Sequence, residues 1–84
     1  MPDRTIMTFP TLDEAESALD WIGVEFAEGD GWFGGDLIAD DGELLDEALD
    51  DPEAPDEVRR LAKRMRNHLA AHPDGAAWRV TFPA

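Results

Sequence analysis

The sequence contains no cysteine. Without thiols there is neither a disulfide framework nor a thiolate metal site, and a reducing cytoplasm suits such a chain. Serine occurs once, at Ser17 among carboxylates, so no nucleophile and base stand together for acyl transfer. No apolar run approaches the roughly 18 residues that span a membrane. The opening "MPDRTIMTFP" lacks the basic region and apolar stretch of a secretory leader. The expected setting is cytoplasmic, with no membrane association.

Bases are also scarce. Against 20 acids there are 7 lysines and arginines, for a net charge of −13. Nucleic acid and anionic membrane surfaces repel such a chain, which favours a basic protein partner and no direct nucleic acid. At 84 residues the chain makes one domain, residues 1–84, with room for one modest core. A hydrophobic content of 43%, including Trp21, Trp32, Trp78 and four phenylalanines, is too high for a disordered acidic tail. The charges are segregated: residues 1–57 hold 19 acids and one base, whereas residues 58–84 hold six bases and one acid. Within Asp36–Glu57 there are 11 carboxylates and no base.

"RTIMTF" (Arg4–Phe9) is rich in β-branched and aromatic residues and predicts a strand ending at Pro10. Thr11 with Glu14 forms a capping box, and Leu12, Ala15, Ala18, Leu19 and Ile22 then fall on one helical face ending at Gly23. Val24–Glu28 and Trp32–Ala39 flank Gly29-Asp30-Gly31 and predict a hairpin. Gly34-Gly35 inside the second strand points to a bulge or a close backbone approach. Glu43–Asp50 supplies two short helical turns, broken by Pro52 and Pro55. Asp56 is positioned to cap a longer helix with Val58, Leu61, Ala62, Met65 and Leu69 as its buried stripe. Ala77–Phe82 alternates as a closing strand. This order predicts an α+β, ferredoxin-like β-α-β-β-α-β fold, an antiparallel sheet with helices on one face.

Several chemical readings compete on these residues. His68 and His72 have the i,i+4 spacing of a metal pair, but His72 precedes Pro73 and no third ligand follows by spacing, so a boundary histidine is the simpler reading. Asp36, Asp40, Asp41 and Glu43 do not fit a calcium loop, because Ile38 falls where a ligand should stand. A glycosidase-like carboxylate pair needs a cleft that so small a core does not favour. "RRLAKRMR" (Arg59–Arg66) is better explained as neutralising the acids beside it, for example Asp56 with Arg60, than as a nucleic-acid contact. No metal, cofactor or catalytic residue is expected; the protein reads as a non-enzyme.

The acidic block is then the candidate site. Carboxylates three or four residues apart on a helix lie about 5–6 Å apart at Cβ, comparable to successive phosphates along a strand. Glu43, Asp46, Glu47 and Asp50 have that periodicity, and Asp36, Asp40, Asp41, Asp51 and Glu53 extend it through the turns. A groove that neutralises phosphates with lysine and arginine would attract such a row. In size, charge and α+β plan the chain resembles small acidic phage-encoded inhibitors of bacterial defence, the DNA mimics and several anti-CRISPR proteins. The Asp36–Glu57 block and the face Asp13, Glu16 and Asp20 carry this resemblance. It implies binding to a basic surface of a CRISPR–Cas effector from within the host cytoplasm. From the charge pattern itself, Asp46, Glu47 and Asp50 are expected to be central to the contact and to face solvent, and the protein to be a monomer or weak homodimer. Two alternatives stand beside it: an adaptor or regulatory domain for a basic host protein, and an ordinary acidic protein of a halophile, for which folding at about 0.1 M and about 2 M KCl would differ sharply.

Overall fold

The computed structural model describes residues 4–83, so the first three residues of the stretch read for a leader lie outside it. Strand β1 (Arg4–Thr8) stops ahead of Pro10. The Thr11 hydroxyl accepts from the Glu14 amide at 3.2 Å and opens helix α1 (Leu12–Ile22). Gly23 closes it in the left-handed region, φ 82°, its amide donating to the Leu19 carbonyl. Ala15, Ala18, Leu19 and Ile22 are buried, but Leu12 in the first turn is exposed and lines a groove with Phe82.

The hairpin is shorter than its pattern. Strands β2 (Ala27–Gly29) and β3 (Trp32–Leu37) are joined through Asp30-Gly31, with Gly29 opposite Trp32. Their glycines serve close approach. A Cβ on Gly34 would lie 2.6 Å from the Trp78 carbonyl oxygen. Register between β3 and its neighbour stays regular across Gly34 and Gly35, and the sheet's irregularity lies instead in β1, between Thr5 and Met7. Gly34→Ala should therefore force the adjacent backbone aside, at a cost of about 1–3 kcal/mol. Urea unfolding would register this as a lower midpoint at unchanged slope; an unmoved midpoint would mean that the strand yields freely.

Helix α2 (Asp41–Asp50) is a full ten residues, longer than the two turns expected. Asp41 fixes its start by accepting from the Ile38 amide at 2.8 Å. In helix α3 (Asp56–Ala71), Asp56 is the first helical residue, and Pro55, pre-set at φ −59°, takes the capping position expected of Asp56. Val58, Leu61, Ala62 and Met65 form its buried stripe. His68 is buried beside them, its Nε2 donating to the Ala77 carbonyl at 2.7 Å and tying α3 to strand β4 (Ala76–Thr81).

The fold is α+β and roughly ferredoxin-like, with an open four-stranded sheet in the order β1-β4-β3-β2. The expected sheet is fully antiparallel; the observed one is mixed, because β1 runs parallel to β4. The length of α2 is the reason. Two helical passes between β3 and β4 return the chain to the end it left, so β4 runs antiparallel to β3 and parallel to β1.

The helices cover one face of the sheet. Phe33 and Leu37 of β3 meet Ala76, Trp78 and Val80 of β4 there, with Leu19, Leu45, Leu61 and Met65 from the helices, all buried. The opposite face carries Arg79 stacked 4.3 Å over Trp32, and the hydroxyls of Thr8 and Thr81 in contact at 2.9 Å. No helix among the described residues is long and apolar enough to cross a membrane.

Candidate acidic interaction surface

Helical geometry divides the carboxylates of α2. Glu43, Glu47 and Asp50 recur at steps of four and three, project from one side of the helix and are exposed. Asp46 is turned toward α3. Expected to face solvent at the centre of the row, it is half-buried and pairs with Arg66 at 2.8 Å. Three residues after Glu43 and one before Glu47, it lies on the flank where α2 packs along α3.

The remaining members of the block separate by task. Asp40 is exposed ahead of α2, while Asp41 is half-buried in its bond to the Ile38 amide. Asp51 is half-buried: its side chain accepts from the Glu53 amide at 2.9 Å, which shapes the turn into α3. Glu53 is exposed beyond it. Asp36 is exposed too, but strand alternation places it on the open sheet face, away from the α2 row. The structure thus brings Glu43, Glu47 and Asp50 together, with Asp40 and Glu53 at the two ends of α2.

The basic stretch Arg59–Arg66 has internal work, though not the expected Asp56–Arg60 pairing. Arg59 donates to the Asp51 carbonyl at 2.7 Å, supplying positive charge at the C-terminal, negative end of α2. Arg64 donates to the Ile6 carbonyl at 2.8 Å on the outer strand β1, and Arg66 holds Asp46. Three of the four arginines of α3 thus bind the chain to itself. None of these contacts reaches Glu43, Glu47 or Asp50.

Helix α1 adds a second exposed acidic row, Asp13, Glu16 and Asp20. Between the helices sits a residue that the sequence reading passed over. Trp21 is 45% exposed, at the junction where α1 meets both α2 and α3. A helical projection would have flagged it: Trp21 falls outside the arc of Ala15, Ala18, Leu19 and Ile22, beside Glu14 and Ser17.

His68 and His72 approach edge to face, ring centroids 5.1 Å apart. No group of three or more metal-ligating side chains occurs among the described residues. In comparisons with protein-family models, curated proteins and solved structures, nothing matches the chain.

Proposed function

We propose that the protein is an acidic protein-binding inhibitor. It presents the α2 row to a basic, nucleic-acid-binding surface of a bacterial defence complex such as a CRISPR–Cas effector, and blocks DNA there. The observation that carries this reading is the free side of α2: Glu43, Glu47 and Asp50 stand exposed in helical register while three of the four arginines of α3 are engaged elsewhere. Solvated carboxylates held at fixed spacing give up little conformational freedom when a row of lysines and arginines closes on them. A halophile's acidity would serve solubility without such concentration on one helix.

The test is competition. The tagged protein is used to capture partners from a bacterial lysate containing CRISPR–Cas effector complexes, with and without DNA loaded on the effector beforehand. Capture of a nucleic-acid-binding subunit that is lost on DNA loading is the expected result. Capture indifferent to DNA would replace inhibition by an adaptor role, and absence of capture would overturn the proposal for these effectors.

A further inference from the structure

Trp21 lines a groove of about 480 Å³ between α1 and the start of α3. Ser17 and Val58 line its interior, and Asp13, Glu14 and Glu57 its acidic margin. The groove follows from the sequence of α1: Glu14, Ser17 and Trp21 recur at steps of three and four, so a small residue separates a carboxylate from an indole on one flank. Trp21 also lines a smaller recess of about 120 Å³, together with Leu44, Glu47 and Asp51. Glu47 belongs to the α2 row, so the groove continues that surface. The indole is therefore an exposed aromatic body with carboxylates from all three helical regions beside it.

We infer that the Trp21 groove receives an arginine side chain of the basic partner, as the anchor of the acidic face. An exposed tryptophan in acidic surroundings has two complementary attractions for one cation: the indole face draws positive charge through its quadrupole, and the carboxylates draw it through theirs. Arginine fits both better than lysine does. Its planar guanidinium stacks on an indole while its edge donors reach carboxylates in a fork, whereas an ammonium is a compact, strongly hydrated charge. The apolar floor accepts the methylene stem. Arg59, next in the chain to the groove residue Val58, donates to the Asp51 carbonyl. A large aromatic at the middle of a polar interface is also the kind of residue that dominates binding energy.

This inference rests on the reading of the acidic face as protein-binding, and its test separates the two. The full chain, labelled with nitrogen-15, is titrated at about 50 mM salt with a short helical peptide bearing three arginines, then with the same peptide carrying uncharged citrulline. The indole N–H signal of Trp21 should shift while that of buried Trp78 stays put, and the citrulline peptide should bind at least about tenfold more weakly. Trp21→Ala should lower affinity at least about fivefold, with Trp21→Phe restoring most of it, since a smaller ring keeps a π face. At 45% exposure the alanine variant leaves the core intact, and its circular dichroism spectrum verifies that it is folded. A Trp21 signal that does not move, or a Trp21→Ala variant binding within twofold of the parent, overturns the anchor. Shifts confined to the amides of α2 would sink the anchor while sparing the acidic face; no binding by the peptide at all would count against both.

Discussion

Trp78→Ala should leave little folded protein at 37 °C. The side chain is fully buried between the sheet and the helices, and an aromatic-to-alanine truncation at such a site costs about 3–5 kcal/mol. A domain of this length has a total stability of only about 4–13 kcal/mol, so the loss is a large share of what holds the chain together. The site also carries a burden that sharpens the comparison. Its indole Nε1 is buried with no hydrogen-bond partner among the described residues, and an unpaired donor in the core costs about 1–3 kcal/mol. Trp78→Phe removes that donor together with part of the ring, so the two effects oppose each other. Phenylalanine should therefore cost under about 2 kcal/mol, well below alanine. Thermal unfolding followed by circular dichroism measures both; equal losses for the two variants would mean that the retained phenyl ring recovers none of the lost packing.

Reversal of the α2 row should abolish partner binding while sparing the fold. In the triple variant Glu43→Lys, Glu47→Lys, Asp50→Lys each change adds two positive charges, taking the net charge from −13 to −7. All three side chains are exposed, and exposed substitutions usually alter stability by no more than about 0.5 kcal/mol. Glu43 is the most sensitive, since it sits in the first turn of α2, where a carboxylate favours the helix dipole by about 0.3–1 kcal/mol. Asp46 is deliberately left out: a lysine there would face Arg66 and confuse repulsion within the fold with loss of the partner. Affinity for the basic partner should fall by about 10²-fold at low salt, chiefly through the association rate. Binding of the parent should weaken steeply as KCl rises, whereas the variant should be nearly indifferent. A triple variant that binds at parental strength would remove α2 from the interface.

The sequence carried the elements well and their long-range arrangement less well. The Thr11 cap, the Gly23 stop, the stripe from Val58 to Met65 and the alternation of the last strand are local signals set by periodicity and backbone sterics, and each appears at or near its expected place. The direction of β4 hinged on whether Glu43–Asp50 made two short turns or a whole helix, a difference that propensity alone could not weigh against packing on α3. The candidate site divided along similar lines. That Glu43, Glu47 and Asp50 share a side was legible from their spacing. That Asp46 turns to Arg66 depends on a helix twenty residues away in the chain, and that Asp36 leaves from the other face depends on strand register. Trp21 was hidden by its chemistry: a tryptophan counts as core in any compositional tally, although its position outside the buried arc of α1 marks it as surface.

The position of β1 at the margin of the sheet has a consequence for biosynthesis. Its residues pair with β4 alone, across more than seventy residues of chain. A nascent chain therefore exposes β1 until β4 has been synthesised, and closure of the sheet must wait for that strand. Loss of Ala76–Thr81 would strip β1 of its partner as surely as deletion of β1 itself, so two segments far apart in the chain form one structural unit.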